Sequence, residues 1–267
     1  MSVDRGTRIS LRVLALGYLA VLLLVPVGLV FYRTFERGLG FVWESVTTPA
    51  AISALFLTLE VAAITVPLNA AFGIFAALAL VRGKFPGKRL LDALIDLPFA
   101  ISPVVVGLAL LLVFGRTGWF GPALADAGIQ IIFSMPGIVI ATVFVSMPFV
   151  VREVAPMLEE IGEEQEQAAA TLGASGWQTF WRVTLPAIRW GLAYGIVLST
   201  ARAIGEFGAV SVVSGRFSGQ TETLPLFVRD QFETLDRGAG YAAAMLLAVI
   251  ALMVLVLMNL TNRRKEV

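Results

Sequence analysis

Apolar residues run in long unbroken stretches along this chain, separated by short polar intervals. Six stretches reach the length that a helix needs to cross a hydrocarbon core about 30 Å thick, which is about 20 residues. They lie at residues 13–32, 52–81, 93–114, 131–151, 187–213 and 239–260. Period-two alternation, the mark of a membrane barrel strand, is absent from them. In lipid every backbone amide must be paired within its own segment, so the pattern predicts helices. The fold class expected is all-α: one polytopic membrane domain of six transmembrane helices over residues 1–267. The first stretch, Val13 to Tyr32, exceeds a signal-peptide core and no small-x-small cleavage site follows it, so it is read as a retained span. Pro26, Pro67, Pro98, Pro103, Pro136 and Pro148 fall in or beside these spans. They are as readily ordinary membrane-helix kinks as cavity-forming or hinge positions.

Charge orients the spans. Arg5, Arg8, Arg12, Arg82, Lys84, Lys88, Arg89, Arg152, Arg182, Arg189, Arg263, Arg264 and Lys265 fall on one side. Arg33, Arg37, Arg116, Arg216, Arg229 and Arg237 fall on the other. The richer side is expected to be cytoplasmic, which puts both termini there. Composition agrees with membrane residence: 58% of residues are apolar, 15% are charged and the mean hydropathy is +0.85. A net charge of +1 gives no bulk attraction to nucleic acid. The absence of cysteine and histidine excludes disulfides, thiolate zinc sites, cysteine nucleophiles and an intramembrane zinc protease.

One polar interval is long and patterned. From Ala155 to Pro186 it carries Glu159, Glu160, Glu163, Glu164 and Glu166, then the small residues Ala168, Ala169, Ala170 and Gly173. Carboxylates suit the positive end of a helix. Ser175 stands three residues before Gln178, a capping-box spacing. A helix, a small-residue turn and a second short helix over about 176–184, stopping before Pro186, are therefore predicted. Such a tip could enter a groove on another protein, or be only an amphipathic surface element.

Gln167-Ala168-Ala169, Gly173 and Val183-Thr184-Leu185-Pro186 resemble the EAA loop of bacterial ABC importer permeases. The spacing matches throughout. Gln167 stands for the family's glutamate and Val183 for its isoleucine, and Glu166 is adjacent. Gly173-Ala174-Ser175-Gly176-Trp177, followed by Ala201 through Gly215, is similar to the sulfate/thiosulfate permeases, nearer their CysW-type than their CysT-type subunit. The resemblance implies a type I importer bundle in the bacterial inner membrane. A second permease subunit would pair with it, two ATPase subunits would bind ATP, and a sulfate-binding protein would deliver the anion. Gln167, Ala168, Ala169, Gly173, Val183, Leu185 and Pro186 would form the coupling helix region. This chain needs no cofactor in that scheme, and no G-x-x-x-x-G-K-[ST] loop occurs in it.

Arg202 and Glu206 fall in the fifth stretch at i, i+4 spacing. A lone charge at the bilayer centre costs about 2.5–3.5 kcal/mol on insertion scales. The two are therefore expected to pair, as a local tie or as part of an anion path. Glu60 and Asn69 are further polar candidates in the second stretch, for the same path or, more simply, for a hydrogen bond to a neighbouring helix. Leu224, Val228, Phe232 and Leu235 predict a short helix in the outer loop, a candidate surface for the binding protein. Two other functions stay open: a permease for another oxyanion such as molybdate or tungstate, and a secondary transporter that needs no ATPase.

Overall fold

With no water in lipid to satisfy the backbone, the apolar stretches fold as helices. The computed structural model describes residues 5–263. Its elements are α1 (Arg5–Phe35), α2 (Leu39–Val46), α3 (Pro49–Arg82), α4 (Lys88–Ala100), α5 (Pro103–Phe114), α6 (Gly121–Asp126) and α7 (Met135–Ile161). Then come α8 (Glu164–Thr171), α9 (Gly176–Thr179), a π-helical turn (Phe180–Thr184), α10 (Leu185–Ile204), α11 (Val210–Val213), α12 (Leu224–Glu233) and α13 (Arg237–Arg263). No strand occurs among the described residues. Arg264 and Lys265, counted above for orientation, lie outside them.

Four described helices, α1, α3, α7 and α13, are long and apolar enough to cross a membrane. The third expected span is not one straight helix. It is α4 and α5, bent by 114° between them. Pro103 explains the break, since the residue before a proline is driven from helical to extended backbone. Ser102 has φ −58° and ψ 134°, and Ile101 is extended as well. Both limbs of the pair pack beside α7. Asp92 and Asp96 bind Arg152, Phe99 meets Phe149 edge-on, and Val106 packs on Val145 and Ala141.

The fifth expected span also ends early. α10 stops at Ile204 rather than running to residue 213, and a non-helical segment over Glu206–Gly208 follows before the single turn of α11. Its 20 residues give about 30 Å, enough to cross, but it is less apolar than the other four. The outer-loop helix is present as α12.

α3, α7 and α10 form the centre of the bundle. Val150, Val151, Val154, Leu158, Ile188, Ala77 and Ile95 are essentially closed off there. Small residues allow the approach, as membrane helix pairs require. A Cβ at Gly195 of α10 would lie 2.9 Å from the Val150 Cα of α7. A buried polar tie joins all three helices. Asn69 Nδ2 donates to Ser146 Oγ at 2.7 Å and to Ser199 Oγ at 3.2 Å. Asn69 thus makes the interhelical bond expected of it. Glu60 does not: it is exposed on α3.

Candidate functional site

Between α7 and α10 the chain makes a sharp elbow, and local sequence dictates it. Gly162, at φ 70° and ψ −166°, ends α7. α8 then ends in a Schellman closure: Gly173 N–H donates to Ala170 O and Ala174 N–H to Ala169 O, both at 3.0 Å. Gly173 adopts φ +84°, a left-handed conformation that glycine alone takes without strain. Ser175 starts the return. Gln178 N–H donates to Ser175 Oγ and Ser175 N–H to Gln178 Oε1, a complete capping box.

The second limb departs from expectation. It does not stop before Pro186. The chain passes from α9 through the π-helical turn directly into α10, with Pro186 in the first turn of α10. In the wider turn, Leu185 N–H donates to Phe180 O, five residues back. The proline, which has no N–H to give, sits where the hydrogen-bond register changes. The elbow's second limb and the membrane helix are therefore continuous.

Gln167, Ala168 and Gly173 are exposed along the elbow, Leu172 at its tip is 89% exposed, and Pro186 is also exposed. Ala169, Val183 and Leu185 are half-buried. Gln167, at the resemblance's glutamate position, reaches only Glu163 at 3.4 Å. Its neighbour Glu166 turns inward instead. Glu166 Oε2 accepts from Arg82 Nε at 3.0 Å, and Oε1 accepts from Thr184 Oγ1 at 2.8 Å. Arg82 also donates to Leu158 O at 3.1 Å and to Gly162 O. One guanidinium at the end of α3 thus holds the end of α7 and the start of α8, while the carboxylate it holds reaches the foot of α10. Arg82 entered the sequence reading only as a loop charge.

Removing Arg82 should loosen the elbow. Arg82→Leu leaves the Glu166 carboxylate half-buried without a cation and strips two carbonyls of their donor. Hydrogen bonds to charged groups are worth about 1.5–3 kcal/mol, so amide exchange across residues 164–184 should quicken about tenfold or more. The double variant Arg82→Leu/Glu166→Leu should recover part of the protection, because neither charge is then stranded. Unaltered exchange in the single variant would show that the tie holds nothing.

At the far end of α10, Arg202 Nη1 lies 2.6 Å from Glu206 Oε2. The pair forms as its spacing predicts, but across the end of the helix rather than along one helical face. Glu206 Oε1 also accepts from Ala209 N–H at 2.8 Å, fixing the non-helical segment. The two partners are unequally covered: the Glu206 side chain is 1% exposed and that of Arg202 is 29% exposed. The carboxylate is sealed in the bundle and the guanidinium reaches its surface. No group of three or more metal-ligating side chains occurs among the described residues.

A bundle of long apolar helices, interrupted by one exposed helical elbow, defines a multi-pass membrane protein. The chain belongs to the family of binding-protein-dependent transport system inner membrane components, which matches residues 69–267. It is 52% identical over 251 residues to the sulfate transport system permease protein CysW of Synechococcus elongatus, covering 94% of this chain and 88% of that protein. It is 39% identical over 242 residues to the CysT permease protein of the same organism, covering 91% and 87%. The fold is similar to a chain of a bacterial ABC transporter involved in importing alginate: TM-score 0.80, 18% identity, 97% of this chain and 96% of that one. The resemblance to CysW-type permeases is thus borne out across nearly the whole chain.

Proposed function

We propose that this chain is a permease subunit of an ATP-driven importer of sulfate or thiosulfate in the bacterial inner membrane, with both termini cytoplasmic. A CysT-type second permease pairs with it, and a sulfate-binding protein supplies the anion from outside. Two ATPase subunits bind and hydrolyse ATP on the cytoplasmic side, and this chain carries no catalytic site. Identity to CysW, together with the separate likeness to a CysT permease, supports that membership.

The observation that carries the mechanism is the elbow's attachment. Its tip is exposed small-residue backbone, while its base is bonded by Arg82 and Glu166 to α3 and α7 and is continuous with α10. A push on Leu172 or Gly173 is therefore delivered to the three helices that form the bundle centre. These move as a body, because they are close-packed and tied through Asn69. ATP binding draws the two ATPases together, the elbows follow, and the permease pair opens outward to receive the anion. ATP hydrolysis and release return it to the inward-open state. Arg202 lies on the anion's route, with the sealed Glu206 carboxylate moderating its field so that the anion is attracted without being trapped.

The test is radiolabelled sulfate uptake by the reconstituted assembly, with and without its ATPase. Uptake should require ATP and the ATPase, and unlabelled thiosulfate should compete while molybdate and tungstate do not. Competition only by molybdate or tungstate would transfer the substrate to that class. Uptake persisting without the ATPase would make the chain a secondary transporter and overturn the account.

A further inference from the structure

Several ionisable side chains of this bundle are held in bonds that the fold explains. Arg152 takes Asp92 and Asp96, Arg82 takes Glu166, and Arg202 takes Glu206. Glu60 is different. It lies about a third of the way along the 34-residue α3, in the apolar body of that helix. It is exposed, and among the described residues it has no hydrogen bond or ion pair. The rest of its face is also uncovered. Phe56, Glu60, Ala63, Pro67 and Ala71 recur at spacings of three and four, so they line one side of the helix, and all five are exposed.

Three surroundings are open to a side chain on such a face. Lipid is excluded by the cost of placing a carboxylate in hydrocarbon, which confines intramembrane acids to protein interiors and aqueous cavities. The contrast with α1 is instructive: its exposed length from Val13 to Tyr32 carries no charge at all and can rest in lipid. The translocation route is excluded by sign, since an uncompensated carboxylate would repel a divalent anion as it passed. That step rests on the anion importer proposed above. A protein surface remains, and the small side chains of Ala63 and Ala71, on the same side of α3 as Glu60, suit the close approach of another helix.

We infer that the Glu60 face of α3 is the surface on which the second permease subunit packs, and that the partner sets a cationic or hydrogen-bond-donating side chain against Glu60. The bond would select the partner as well as hold it. A helix offering an acid or only apolar groups at that level would leave a desolvated carboxylate unpaired.

Co-purification of the two permeases from membranes tests this. Glu60→Gln keeps an acceptor and should preserve the pair. Glu60→Leu should lower its recovery at least tenfold, and Glu60→Arg should abolish it, while the chain's own abundance in the membrane is unchanged. A benzophenone amino acid at Phe56 should photo-crosslink the wild-type partner, which checks the surface without touching Glu60. Full pairing by Glu60→Leu, with no capture from Phe56, would put the face in lipid and overturn the inference. So would labelling of a Glu60→Cys variant by an aqueous thiosulfonate in the assembled importer, which would put the residue in the lumen. These readouts need no substrate. A wild-type chain that pairs as described but transports another anion would sink the sulfate assignment alone. A wild-type chain that pairs with no permease at all would sink the importer and the interface together.

Discussion

Arg202→Ala should reduce sulfate uptake by at least a hundredfold while the assembly forms and its ATPase subunits still turn over. The substitution removes the cation at the end of α10 and leaves Glu206 sealed in the bundle with backbone N–H donors only. Two effects then act together. The positive potential that draws the anion is lost, and the surviving carboxylate opposes it. Each factor of ten in rate is about 1.4 kcal/mol, so a hundredfold loss asks about 2.7 kcal/mol of the residue, within the range of one charge in a partly dehydrated site. Arg202→Lys should retain part of the uptake, because the charge survives although the forked geometry does not. The double variant Arg202→Ala/Glu206→Gln separates path from scaffold. It should regain some uptake over Arg202→Ala if the stranded charge is part of the damage. Wild-type uptake by a normally expressed Arg202→Ala protein would retire Arg202 from the route.

The second large effect is expected at the elbow. Gly173→Trp should leave membrane insertion and pairing intact but disconnect ATP hydrolysis from uptake, with transport falling at least tenfold per ATP consumed. Two features act there. At φ +84° any residue with a Cβ carries strain of about 1–2 kcal/mol, which would distort the closure around Ala169 and Ala170. The indole would also stand out from the tip, where nothing of this chain lies within 4 Å of a Cβ at Gly173, and would collide with whatever groove receives Leu172. Gly173→Asn separates the two causes, since asparagine tolerates left-handed backbone and adds little bulk. It should keep most coupling. Equal loss in both variants would place the defect in the backbone rather than in docking, and wild-type uptake in Gly173→Trp would remove the elbow from the mechanism.

Much of this was legible in the residues because the bilayer makes local demands. Runs of about 20 apolar residues had to become helices, and the Ser175–Gln178 spacing foretold a cap whose two bonds both form. The 224–233 helix followed from its periodicity. What escaped depended on distance. Arg82 and Glu166 are 84 residues apart, and nothing at either position announces the other. Gln167 drew attention through its place in the motif, yet rotation along α8 turns Glu166 inward and Gln167 out.

Other misses were local competitions decided the other way. Pro103 marked the break in the third span, but apolarity continued across it and hid the bend. Gly205 could have marked the end of α10, but the apolar run through residue 213 outweighed it. Pro186 suggested a stop, and the π-helical turn, by shifting the hydrogen-bond register from four residues to five, let the helix continue. That continuity strengthens the account of coupling, since a break before α10 would have absorbed the motion that the elbow is built to transmit.

A photo-crosslinker at Leu172, in the complete assembly with nucleotide bound and nucleotide free, tests the central claim most directly. The account predicts capture of an ATPase subunit in both states. Capture of lipid alone, or of nothing, in both states would contradict it.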